Sequence, residues 1–175
     1  MSMASWHNYG YGVCTSKIET TADKLKAYID NHKKLKSDFI RYIADSEKLT
    51  DINEYGEIEI DMEKTEKSYE NYSLDELIEL YADYSDFGEG LNGIIQQAIT
   101  EETGIPLISC TDYNNDENFA IMPSYYPWEV IGNNALMSIK SENDIKIIFA
   151  ENIKALTDQS MDDLDWGEQQ VEGWG

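Results

Sequence analysis

Between Ser68 and Ile139 the chain has no lysine and no arginine, while 13 acids fall within the same 72 residues. Folded surfaces normally intersperse both signs, because that limits self-repulsion. A long single-sign stretch therefore implies a use for the negative field. The rest of the charge is lopsided too. Residues 1–67 carry ten bases and 13 acids, and residues 68–175 carry three bases and 22 acids, for a net charge of −22. So few cations argue against gripping nucleic-acid phosphates and against binding an anionic membrane.

Other absences narrow the class further. Two cysteines, Cys14 and Cys110, do not make a disulfide framework. Met1 to Trp6 shows neither the basic nor the apolar region of a signal peptide. No apolar run approaches the roughly 18 residues that cross a bilayer. The expectation is a soluble cytoplasmic protein with both thiols free. Only three prolines interrupt the chain, and 41% of it is hydrophobic, with 12 tyrosines and four tryptophans. That content excludes a solvated acidic tail as the whole story and predicts a packed core.

What is present reads as alternating short elements. Tyr9, Tyr11 and Val13 alternate with Asn8, Gly10 and Gly12, which predicts a strand with one packed face. Leu25, Tyr28, Ile29, His32, Leu35, Phe39, Ile40 and Ile43 recur at helical spacing and predict one amphipathic helix to about Ala44. It carries six of the bases. Glu57 to Asp61 alternates as a short strand with Ile58 and Ile60 inward. Lys64 to Asn71 reads as a helical turn or a loop. Ser73 with Glu76 forms a capping box and opens a helix whose buried stripe is Leu74, Leu77, Ile78, Tyr81 and Tyr84. Leu91 to Thr100 predicts another helix. Leu107 to Thr111 and Phe119 to Met122 predict strands, as does Leu136 to Ile139, and Ser141 begins a last helix through Leu156. The fold class is α+β: an antiparallel sheet of four to five short strands packed by three to four helices. Residues 1–157 form the domain, and 158–175 an acidic, Trp-containing C-terminal tail.

The candidate site is acidic. Asp75, Glu79 and Asp83 repeat every four residues, about 6 Å apart along a helix axis. DNA presents a phosphate per ~3.4 Å of axis on each strand, so such a stripe imitates part of a phosphate backbone. Glu76, Asp86 and Glu89 extend it, and Asp158, Asp162, Asp163, Asp165 and Glu168, flanked by Trp166 and Trp174, form a second cluster suited to a basic partner groove. The bland reading is a solvated face, with Asp75 and Glu76 favoured by the helix N-terminus. For Trp166 it is a ring tucked onto the core.

Four other constellations carry less. Asp112 to Asn118 matches the first three ligands of a calcium loop, but Glu117 replaces the turn glycine and Pro123 the bidentate glutamate; turn chemistry explains the same residues. His7, Cys14, His32 and Cys110 fit no zinc spacing, and His32 reads as a satisfied core histidine. No phosphate-binding glycine loop is present. Tyr9, Tyr11, Tyr125, Tyr126 and Trp128 form either an interface patch or core. No metal or cofactor is expected.

The segments Ser5-Trp6-His7-Asn8-Tyr9-Gly10-Tyr11-Gly12 and Pro123-Ser124-Tyr125-Tyr126-Pro127-Trp128 resemble parts of small acidic proteins carried by phages and mobile elements of Gram-positive bacteria. By charge and size the chain is similar to anti-CRISPR inhibitors. That resemblance implies a non-catalytic inhibitor in the host cytoplasm, competing with DNA or RNA for a basic nucleic-acid-binding protein such as a Cas effector. An enzyme acting on the same defence system and a phage accessory or structural protein are the alternatives.

Overall fold

Strand β1 (Ser5–Cys14) lies in the middle of the main sheet, in a computed structural model that describes residues 5–87, 90–105, 107–112, 117–123 and 142–174. On one side it pairs with β5 (Glu117–Pro123), which in turn pairs with β4 (Ile108–Asp112). On the other it pairs with β6 (Gly167–Trp174). The order is β4-β5-β1-β6 and every pair is antiparallel. A separate two-stranded sheet joins β2 (Thr50–Ile52) and β3 (Ile58–Ile60). The helices are α1 (Ala22–Asn31), α2 (Lys33–Ser46), α3 (Met62–Asn71), α4 (Leu74–Tyr84), α5 (Gly90–Thr103) and α6 (Glu142–Leu156). The architecture is α+β.

Side chains alternate across the pleat with period two. Val13, Ala120 and Met122 join the helices in the main core. Their neighbours Cys14, Phe119 and Ile121 form a second cluster with Cys110 and Val171 on the opposite face. Cys14 and Cys110 are both in register with Phe119, one strand to either side of it. Two strand spacings of about 4.8 Å put them beyond disulfide reach, and both thiols are free and buried. Burial, then the Glu117 carboxylate, pushes the Cys14 thiol above its ordinary pKa.

Two glycines let β1 lie close against β5. A Cβ on Gly12 would stand 2.3 Å from the Ala120 carbonyl oxygen, and one on Gly10 2.1 Å from that of Met122. Helix α5 fills the centre of the main core, burying Ile94, Ile95, Ala98 and Ile99. Tyr81 of α4 reaches it, its hydroxyl donating to Gln97 Oε1 at 2.7 Å. The Gln97 amide then donates to Asp38 and Glu101. These bonds satisfy polar groups that would otherwise be buried at a cost of roughly 1–3 kcal/mol each.

Five expectations change. The first long helix is two, because His32 is extended (φ −113°, ψ 99°). Its N–H bonds Ile29 instead of Tyr28, and its ring Nδ1 sits 2.8 Å from the vacated Tyr28 carbonyl. The apolar period runs through the break unaltered, which is why the sequence reads as one helix. Lys64 to Asn71 belongs to a full helix, capped by Asp61 and holding Thr65 and Tyr69 in the core. Ile58 is not inward: it is 74% exposed, as its strand pairs only with β2 and stands clear of the main sheet. The acidic segment after 157 is not a free tail, since Gly167–Trp174 is an edge strand of the main sheet. Tyr84, assigned to a buried stripe, is 42% exposed. The strand expected over 136–139 and the aromatic segment 124–128 lie outside the described residues.

Candidate functional site

Helix α4 turns its acids outward because its apolar residues hold the other side. Leu77, Leu80 and Tyr81 are buried, and Asp75, Glu76, Glu79 and Asp83 are exposed. Burying each large apolar side chain contributes roughly 1.5–3 kcal/mol. A like-charged i, i+4 pair costs only about 0.2–0.5 kcal/mol. The helix can therefore carry Asp75, Glu79 and Asp83 on one stripe and still form. Asp86 is exposed just beyond its C-terminus. Glu89 lies outside the described residues.

The acids on this face have different environments. Glu76 belongs to the helix itself: its N–H donates to Ser73 Oγ at 3.3 Å and the Ser73 N–H donates back to Glu76 Oε2 at 2.8 Å, closing the capping box, while the Ser73 hydroxyl donates to the same carboxylate oxygen at 2.7 Å. The two bonds that Ser73 donates, the backbone one first, hold its carboxyl below the usual glutamate value of 4.5. Asp75 sits in the first turn, where the N-terminal dipole favours it. Asp83 sits in the last turn, where the dipole opposes it by about 0.3–1 kcal/mol. Among the described residues, no basic side chain comes within 4 Å of Asp75, Glu79, Asp83 or Asp86.

Other acids of the base-free stretch do find partners. Glu101 lies 4.0 Å from Lys34, Glu117 3.8 Å from Lys17, and Glu102 3.9 Å from His32. Both lysines come from residues 1–67, so the fold redistributes charge that the sequence segregates. The α4 face is left out of that redistribution.

The C-terminal cluster is partly structural. Asp162 and Asp163 are exposed in a short 3-10 turn, Met161–Leu164, capped by Ser160. Asp165 takes a left-handed conformation (φ 53°) that turns the chain toward β6, and its carboxylate meets Lys17 at 2.5 Å. Asp158 is held by Lys24 at 2.5 Å. Trp166 is half-buried, with Tyr11 and Phe149 each edge-on at 5.0 Å between ring centroids. Its ring completes the core beside β6 rather than standing free. The two acidic groups flank one turn of chain: Glu79 lines a cleft with Thr15 and Ser16, and the next residue, Lys17, carries Asp165.

A second recess lies where α1 meets α2. A cleft of about 830 Å³ is lined by Asn31, His32, Lys33, Lys34, Glu101 and Glu102. The His32 ring is satisfied as expected, though half-buried rather than in the core, and Glu102 also accepts from Asn152, which in turn accepts from Tyr28. Sequence reading missed this cleft, because the helix break that opens it is invisible in the apolar period. No group of three or more His, Cys, Asp or Glu among the described residues is placed to hold a metal ion. Most of the calcium-like segment, 113–116, lies outside those residues. Among them, no helix is long and apolar enough to cross a membrane.

Tyr11 of the proposed aromatic patch is half-buried, with Lys146 over its ring at 4.4 Å. Tyr125, Tyr126 and Trp128 are outside the described residues, as is the side chain of Tyr9. Comparison of the chain with protein-family models, with curated proteins and with solved structures finds no match.

Proposed function

We propose that this protein is a non-catalytic inhibitor of a basic nucleic-acid-binding protein of bacterial defence, of the anti-CRISPR type. Its α4 face competes with DNA or RNA for the groove of a Cas effector. The observation that carries this reading is Asp83 with Glu79 and Asp86: exposed carboxylates with no cation within 4 Å among the described residues, one of them set against the helix dipole. Solvation and capping account for Asp75 and Glu76. They supply no reason for an acid in the last turn, where a lysine would favour the helix.

In the complex these carboxylates replace phosphates against Lys and Arg. Charge pairing of this kind sets association rate and specificity. Asp162 and Asp163 extend the field from the far side of the Lys17 turn.

The test is displacement of labelled target DNA from a panel of guide-loaded Cas effectors. Wild-type protein should displace DNA from a member of the panel at one-to-one stoichiometry. The D75N/E79Q/D83N variant should keep its fold and lose at least about tenfold in potency, the scale of several desolvated charge pairs. Equal potency of variant and wild type would end this reading. A second reading, an enzyme acting on the same system, is favoured by the His32–Glu102 cleft. It requires inactivation at substoichiometric amounts, and loss of it in His32→Gln.

A further inference from the structure

The hairpin between α2 and α3 exposes apolar residues that folding does not use. Ile52 is 76% exposed, Ile58 74% and Tyr55 80%. Ile52 and Ile58 are directly paired across β2 and β3, and Tyr55 lies in the turn between them. Single exposed apolar residues need no explanation. A cross-strand isoleucine pair with a tyrosine in the connecting turn gathers three exposed apolar side chains on one short hairpin, and such clustering marks interaction sites.

The hairpin is built to hold that patch in place. Asn53 Oδ1 accepts from the N–H groups of Tyr55 (3.0 Å) and Glu57 (2.9 Å). The Asn53 N–H donates to the Glu57 carbonyl at 2.9 Å, and Gly56 takes the left-handed conformation (φ 80°) that closes the turn. At the base, Ile60 and Met62 line a shared cleft with Ile40 of α2, and Lys33, Lys36 and Arg41 of α2 line it too. A two-stranded hairpin is marginal alone; this one is anchored at its base and tied at its tip.

Its charge selects the occupant. Glu54 and Glu57 are exposed beside the turn, Asp51 and Glu59 are exposed on the face of the strands opposite the two isoleucines, and no lysine or arginine occurs from Leu49 to Glu63. Asp51 and Glu59 stand directly opposite each other across the strands, a destabilising arrangement. A second copy would bring two such acidic hairpins together, and an anionic lipid surface would repel one. We propose that the β2–β3 hairpin is a docking finger, its Ile52–Tyr55–Ile58 patch entering an apolar pocket rimmed by Lys and Arg on a basic protein partner. An apolar anchor inside a charged rim is the arrangement of interface hot spots. The choice of a basic, nucleic-acid-binding partner rests on the function proposed above. The finger is a second surface, separate from α4.

The test uses the full-length protein and two synthetic peptides of equal charge, one alternating leucine with lysine and one alternating glycine with lysine. Amide shifts on titration should centre on residues 51–59 with the leucine–lysine peptide. The I52S/Y55S/I58S variant should bind it about tenfold more weakly or worse, with the rest of its spectrum unchanged. The glycine–lysine peptide should bind weakly to both proteins alike. Equal affinity of variant and wild type, shifts confined to α4, or a wild-type dimer that the variant abolishes would each overturn the proposal. The D75N/E79Q/D83N displacement assay reads the function separately, so either proposal can fail while the other stands.

Discussion

Gly12 carries a constraint that no other residue type can meet. A Cβ there would stand 2.3 Å from the Ala120 carbonyl oxygen, a backbone atom that cannot rotate away. Relief requires β1 and β5 to separate in the middle of the sheet. Gly12→Ala should cost about 1–3 kcal/mol, in the range of overpacking substitutions, and a urea titration would show it. An unchanged midpoint would mean that the strands part easily. The sequence shows Gly10 and Gly12 as the punctuation of an alternating strand. It does not show what they approach, because Ala120 and Met122 lie more than a hundred residues away. His32 teaches the same lesson in reverse. Its place on the apolar stripe was legible, and its ring does meet a backbone acceptor. That the bond breaks the helix was not legible, since an imidazole in either role leaves the period intact.

Among the elements, α4 was the most legible, because its signals are local. The Ser73–Glu76 box, the Leu77–Tyr81 stripe and the outward acids all follow from spacing within a dozen residues. Ser73→Ala should lower stability by about 1 kcal/mol, as loss of an N-cap does. Glu76 adds a pH dependence with a definite sign. Its folded pKa lies below the usual 4.5, so its contribution is complete above that value. The contribution is lost as pH falls through the lower, folded value. The stability difference between wild type and E76A should therefore be full at pH 6 and shrink as pH falls below 4.5; a difference that grows on acidification would contradict the capping role. The least legible elements are β6 and the β2–β3 hairpin. Strand β6 offers Val171 as its one buried apolar residue among the described side chains, and its pairing with β1 is set by tertiary contact. The hairpin shows alternation, and alternation alone names no inward face when a two-stranded sheet stands off the core.

At the scale of the molecule, the net charge of −22 acts on folding and on binding with opposite signs. Self-repulsion among carboxylates opposes the compact state. The ion pairs that offset it, such as Lys17–Asp165 and Lys24–Asp158, have exposed acidic partners and are worth little individually. Raising sodium chloride from about 0.05 to 0.5 M shortens the screening length severalfold, so the thermal midpoint should rise. Capture of a basic partner should weaken over the same range, because the attraction is screened too. A thermal midpoint that falls with salt would mean that the ion pairs outweigh the repulsion.

The position of β1 has a consequence for how the chain is made. The strand occupies residues 5–14, yet its partners are residues 117–123 and 167–174. Chains are synthesised from the N-terminus at about 5–20 residues per second. Strand β1 therefore waits several seconds for its first neighbour and longer for its second, while α1 to α5 emerge between β1 and β5. Such distant pairings fold slowly. During that interval β1 carries two open edges, and it is glycine-rich along the stretch that later seats against β5.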